Sequence, residues 1–296
     1  MNSNLPTNLP ILSVTPEGFS EFLEKKSRAE CSATLPAAAQ AAMRQGMLED
    51  WCEDSAEEEC GAIIDRASGV VVQPVCGYMM AGADAFEEAC CGCFDTNRLS
   101  AIARQVSEDA GIRALILHIS SPGGSVAGLA ENCAAIVNLK AARPDLMVMA
   151  YIDGIGCSAA ARVAAACQET HAGIGAMVGS ISTIMVAYDD SRMFANAGID
   201  AKVFTDGKYK AAGYPGVPIT DEQAALFQQQ VRIFGEDFKA FMTARRPGLT
   251  DEDMQGQAFI AEAGKYPEAL LDGIGWPSFN EFAATVAGMA SLTGEQ

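Results

Sequence analysis

The sequence predicts an α/β layered fold, and three observations carry that expectation. Residues 114–120 (ALILHIS) form a continuous apolar run of strand length, the pattern of a strand covered on both faces. An amphipathic stretch follows over 125–140, with Val126, Leu129, Ala130, Cys133, Ile136 and Val137 at helical spacing. The strand-to-helix alternation then repeats over 145–167, and such alternation builds layered α/β domains. The chain has 296 residues, 49% of them hydrophobic and 20% charged. That is enough for one large domain or two small ones, and it excludes a wholly disordered chain.

Taken in order, residues 1–60 stand apart. Pro, Asn, Ala and Glu dominate them, and the acidic stretch from Glu49-Asp50 to Glu57-Glu58-Glu59 has no strand pattern. Within this region 15–26 predicts a short helix: Thr15 suits the N-cap, Pro16 the first helical position, and Phe19, Phe22 and Leu23 share a face. We read 1–60 as an N-terminal helical and acidic arm, 61–280 as the folded domain and 281–296 as a short tail. In the domain, 68–77 predicts a strand, 99–108 a helix, 114–120 a strand, 125–140 a helix, 145–152 a strand and 157–167 an Ala-rich helix. Residues 172–186 alternate Gly with apolar residues and predict short strands and turns, and 201–205 predicts a further strand. Thr220-x-x-Gln223 is a capping box that opens a long helix. On it Phe227, Val231, Phe234, Phe238 and Phe241 form one stripe, while Leu226 and Ile233 fall off it and predict a second contact, between subunits.

The charge balance is 38 acidic against 20 basic residues, a formal net charge of −18. Nucleic acid and anionic membrane both demand a clustered basic face, so neither is an expected partner. No apolar stretch reaches the roughly 18–20 residues of a membrane span. The start (MNSNLPTNLP) has neither a basic nor an apolar leader region. The ten cysteines of this long chain are therefore expected as mostly free thiols in a reducing, cytoplasmic setting. Cys90-Cys91-Gly-Cys93 lacks a second ligand pair, so no metal and no cofactor is expected.

Four segments carry candidate chemistry. In His118-Ile-Ser-Ser-Pro-Gly-Gly-Ser125 a strand meets Gly123 and Gly124 just before a predicted helix. Two glycines there expose backbone N–H groups able to hold an anionic oxygen, or they simply make a tight turn. In Tyr151-Ile-Asp-Gly-Ile-Gly-Cys-Ser-Ala-Ala-Ala161, Ser158 stands at a helix start, as a nucleophile or as an N-cap, and Ala159, Ala160 and Ala161 leave room for a substrate. Gly175-Ala-Met-Val-Gly-Ser-Ile-Ser182 is a further Gly-Ser turn, and Asp206-Gly-Lys-Tyr-Lys-Ala-Ala-Gly213 places Lys208 and Lys210 after a predicted strand, where a lysine is usually solvated. A serine nucleophile needs a base. The chain has only two histidines: His118 reads as a core position and His171 as a loop residue. A buried lysine can serve instead, because burial disfavours its ammonium; Lys210 is the candidate. Arg162, one turn after Ser158, reads as a solvated helix position or a contact for a substrate carboxylate.

The order SSPGG, GCSAAARVA, GSI, GKYK resembles peptidase family S49, the signal-peptide-peptidase-A group with a Ser–Lys dyad. More narrowly it is similar to the phage lambda-type head-maturation (prohead) branch, through ILSVTPEGFSEFLE, GVVVQPVCGYM and the segment from Gln257 to Gly275. The resemblance implies the ClpP/crotonase-like fold of stacked ββα units and a serine endopeptidase acting on capsid, scaffold or portal proteins as a homo-oligomeric ring. It implies Ser158 as nucleophile, Lys210 as base with Lys208 the alternative, Ser180 as the hydroxyl orienting the lysine, and the Gly123 and Gly124 backbone as oxyanion donors. Cys157, Ala161 and Ser182 depart from the family's pattern. The rival readings are a bacterial signal-peptide-peptidase-like protease, a crotonase-like acyl-CoA enzyme and an inactive assembly factor.

Overall fold

The computed structural model describes residues 12–14, 56–59 and 61–293. Its strands are β1 (Leu12–Val14), β2 (Ala56–Glu59), β3 (Ala62–Asp65), β4 (Val70–Met80), β5 (Cys93–Asp95), β6 (Ala114–Ser125), β7 (Met147–Cys157), β8 (Glu169–Gly173), β9 (Met177–Gly179), β10 (Ala258–Ile260) and β11 (Gly273–Trp276). Its helices are α1 (Ala85–Cys91), α2 (Asn97–Glu108), α3 (Leu129–Ala142), α4 (Ala159–Ala166), α5 (Ser191–Asn196), α6 (Asp221–Arg245) and α7 (Phe279–Thr293). The main sheet runs β10-β9-β7-β6-β4-β3-β2, with β1 on β6, β5 on β4, and β8 between β7 and β11. The central trio β4, β6 and β7 is parallel. The predicted α/β layering is borne out.

Side-chain alternation along β6 explains the layers. Leu115, Leu117 and Ile119 point into a core shared with Leu99, Ile102, Cys133, Ile136 and Val163, that is, with α2, α3 and α4. Ala114 and Ile116 point the other way, into a second core with Phe279, Phe282, Val286 and Ala290 of α7. Successive strand residues face opposite sides, so a continuous apolar run is what a strand covered on both faces needs. Leu117 is fully buried, and truncating it to Ala removes about 3 kcal/mol.

Several expected elements change on folding. The strand over 114–120 continues through Pro122, Gly123 and Gly124 to Ser125, and the helix after it starts only at Leu129, behind Gly128 at φ 72°. The glycine pair therefore extends a strand and does not turn into a helix. Gly124 is required for close approach: a Cβ there would run into the backbone of Met79 on β4. The acidic Ala56–Glu59 is a strand, antiparallel to β3, because hairpin pairing overrides the weak propensity of Glu. Residues 201–205 form no strand. All of 201–210 is exposed, and among the described residues no strand pairs with it. The boundary drawn between 280 and 281 falls inside α7, whose Phe282 and Val286 are buried. The helix expected over 15–26 lies outside the described residues.

The long helix α6 opens with the predicted capping box, Thr220 and Gln223 bonding each other's backbone N–H groups. Its stripe is buried only toward the C-terminal half: Phe238 is 1% exposed and Phe234 39%. Among the described residues no helix is long and apolar enough to cross a membrane.

Candidate active site

Ser158 sits between the end of β7 and the start of α4, at φ 58° and ψ −119°. For a non-glycine residue that conformation is strained, at a cost of roughly 1–3 kcal/mol, and it persists only where surroundings over-determine it. They do. Cys157 pairs with Gly179 of β9, the Ser158 N–H donates to the Gly179 carbonyl at 2.8 Å, and the Arg162 N–H donates to the Ser158 carbonyl at 3.1 Å. Behind it every residue of α4 is buried. Ala159, Ala160 and Ala161 therefore serve close packing against the sheet, and leave no open room for a substrate. A strained strand-to-helix turn is one that serine nucleophiles use; here Ser158 is 1% exposed.

Ser180 follows directly on β9 and has the other positive φ among the described non-glycine residues, 52°. Its N–H donates to the Gln257 carbonyl at 2.8 Å, just before β10. Because Ser158 is bonded to Gly179, the fold brings the Ser158 and Ser180 turns side by side.

Gly123 and Gly124 lie on the neighbouring strand β6. Gly123 has φ 107°, and its N–H donates to Ser121 Oγ at 3.1 Å; that hydroxyl in turn donates to the Gly77 carbonyl at 2.6 Å. One expected oxyanion donor is thus engaged within the chain.

Lys210 is on the exposed loop between α5 and α6, its N–H bonded to the Gly207 carbonyl at 3.0 Å. Among the described residues its amine makes no ion pair, and the chain does not bury it. Lys208 fits a base less well. Its amine pairs with Glu222 at 3.1 Å, and hydrogen bonds to Tyr209 and then Glu222 raise its pKa.

Both histidines are engaged with other partners. His118 is 2% exposed, stacked on Phe279 with centroids 3.9 Å apart and bonded to Asp153 at 3.1 Å. It faces α7 and α4 covers the opposite face, so the core reading holds. His171, expected in a loop, is in β8 and contacts Glu169 and Trp276. Its position is fixed by pairing with Gly273 of β11.

Arg162 corrects the sequence reading most. It is buried, not solvated: its guanidinium pairs with Asp237 at 2.6 Å and lies 4.7 Å from the Phe241 ring centroid. It ties α4, the helix that follows Ser158, to α6. Asp237 lies 75 positions away in sequence, so only the fold makes the pair visible.

Cys157, beside Ser158, is fully buried, and burial pushes its thiol up to about 12. Cys91 and Cys93 are buried packing residues, and among the described residues no three His, Cys, Asp or Glu side chains gather as a metal site.

Residues 140–275 match the model of peptidase family S49, a span holding Ser158, Ser180, Lys208 and Lys210 but starting after Gly124. The chain is 27% identical over 236 residues to the head-tail preconnector protein GP5 of Enterobacteria phage P21, covering 76% of this chain and 46% of that one. It is 24% identical over 178 residues to the capsid assembly protease C of Escherichia phage lambda, covering 59% and 40%. The chain thus spans about half the length, or less, of these relatives. Among solved structures, an enoyl-CoA hydratase of Mycobacterium smegmatis overlaps with TM-score 0.41 at 16% identity, covering 81% of this chain and 77% of that one. The resemblance to family S49 and its phage branch, expected from the four motifs, is borne out.

Proposed function

We propose that the chain is a serine endopeptidase that uses a Ser158–Lys210 dyad to cleave phage head proteins during capsid assembly. The observation that carries this reading is Ser158 on its strained turn, inside the segment that matches a peptidase family. The phage relatives support the substrate class, since one is called a capsid assembly protease.

In the proposed reaction the Ser158 oxygen attacks a peptide carbonyl and its proton passes to the neutral amine of Lys210. The tetrahedral oxyanion accepts hydrogen bonds from the 123–124 backbone. Using the Gly123 N–H means exchanging its bond to Ser121 Oγ for one to the substrate. The ammonium then protonates the leaving amine, an acyl-enzyme remains, and water deprotonated by the same lysine releases it. Ser180 accepts or donates a hydrogen bond that aims the amine.

An amine acts as this base only when removed from water. Lys210 is exposed in the single chain, on a loop that also exposes Phe204 at 93%, and Tyr188, just before α5, is 79% exposed. So much uncovered aromatic surface favours a docked neighbour. The reading is therefore that a second copy covers this loop and that Lys210 meets a serine within the assembled ring.

Mixing tests it. Ser158→Ala and Lys210→Ala chains, each inactive alone, regain peptide cleavage when co-assembled if copies share sites. Full activity in either variant alone would remove the dyad.

A further inference from the structure

β6 pairs with β4 on one side as far as Tyr78 with Gly123 and Met79 with Gly124. On its other side it pairs with β7 only as far as Ser121 with Gly156. Past that point β7 runs through Cys157 and turns at Ser158 into α4. Two adjacent parallel strands thus diverge at their carboxyl ends, where α/β sheets take their ligands. One wall of the crevice is the edge of residues 123–125, whose backbone groups need partners. Gly123 and Gly124 carry no side chain to obstruct a strand laid along them.

That edge is not empty. β1 pairs with it antiparallel, Leu12 with Ser125, Ser13 with Gly124 and Val14 with Gly123. Because β4 already holds the opposite edge of Gly123 and Gly124, β1 lies on the side from which β7 departs, the Ser158 side. Ser158 itself is 1% exposed, so the inner end of the crevice is closed. An extended peptide joins a strand edge through its main chain, and β1 occupies the place such a peptide would take.

We propose that residues 12–14 are an intramolecular occupant of a peptide-binding edge, a covering strand that must leave before an extended substrate can enter beside Ser158. The substrate part of this statement rests on the peptidase reading above. A three-residue strand offers few hydrogen bonds, so it can be displaced. Its covalent attachment makes its pairing intramolecular, so it competes with a free peptide.

The test uses a fluorescent synthetic peptide of residues 9–17 and the full chain carrying Ser158→Ala, read by anisotropy. A second chain adds Ser13→Pro and Val14→Pro. Adjacent strand residues turn their N–H groups to opposite sides, so the pair removes a ladder donor whichever parity faces β6. The expected result is about tenfold tighter peptide binding by the proline chain, as an intramolecular competitor predicts. Hydrogen exchange at residues 123–125 should speed up in that chain and slow again when peptide is added. Equal affinity of the two chains, no binding to either, or unchanged exchange overturns the proposal. In the chain with Ser158 intact, the proline pair should lower KM and leave kcat unchanged. If binding behaves as expected but neither chain cleaves peptides, the peptidase reading fails and the covering strand stands. Cleavage with equal binding does the reverse.

Discussion

Every residue of α4 is buried, whereas every residue from 201 to 210 is exposed. The first region carries Ser158 and the second carries Lys210. Packing differs as sharply as burial: α4 is wedged between the sheet and α3, while residues 201–210 are held by a few bonds, such as the Thr205 hydroxyl to the Gly207 carbonyl at 3.1 Å and the Gln223 side-chain amide to the Lys208 carbonyl at 3.2 Å. A nucleophile has to be fixed to a fraction of an ångström, and a packed core does that. A base has to be dried, and a loop dries only when something covers it. The contrast locates what one folded chain supplies and what an assembly would add.

The largest effects should come from the two groups of the proposed dyad. Ser158→Ala should reduce cleavage by about 10⁴-fold or more and Lys210→Ala by roughly 10²–10⁴-fold, with unchanged unfolding midpoints. A matching loss of stability would turn both into packing residues.

The next effect sharpens the contrast from the buried side. Asp237→Asn leaves the Arg162 guanidinium buried without its counter-charge and should cost about 3 kcal/mol in urea unfolding, less where Asp237's exposure lets water compensate. A cost near zero would mean that the tie between α4 and α6 contributes nothing.

The exposed side should respond in the opposite way. Phe204→Ser should change single-chain stability by no more than about 0.5 kcal/mol, yet reduce both particle mass in light scattering and cleavage. Unchanged mass with full activity would break the proposed role of the loop.

A smaller effect is set by pH. The hydrogen bond from His118 holds the Asp153 carboxyl below the usual aspartate range. Its contribution is therefore present above the unfolded-state pKa and lost as pH falls through the lower folded value. Asp153 is half exposed, so the contribution is under about 1 kcal/mol. Asp153→Asn should flatten the acid side of the stability profile by that amount.

The sheet centre was legible because periodicity reports burial: the run over 114–120 and the helical spacing after it follow directly from which faces are covered. The Thr220 capping box was legible because a cap is a local interaction. Where the sequence reading failed, the deciding partner was distant. Glu57, Glu58 and Glu59 became strand only by pairing with Ala62, Ile63 and Ile64. The glycines at 123 and 124 looked like a turn and proved to be a strand pressed against Met79. Arg162 looked solvated until Asp237 arrived from another helix. Residues 201–205 have strand-like composition, but among the described residues no strand edge receives them.

The most direct measurement is active-site labelling with a fluorophosphonate, mapped by mass spectrometry on the assembled protein. The account predicts modification at Ser158 in the native chain, near-complete loss in Lys210→Ala and normal labelling in Lys208→Ala. Equal labelling of Ser158 with and without the Lys210 amine would contradict it.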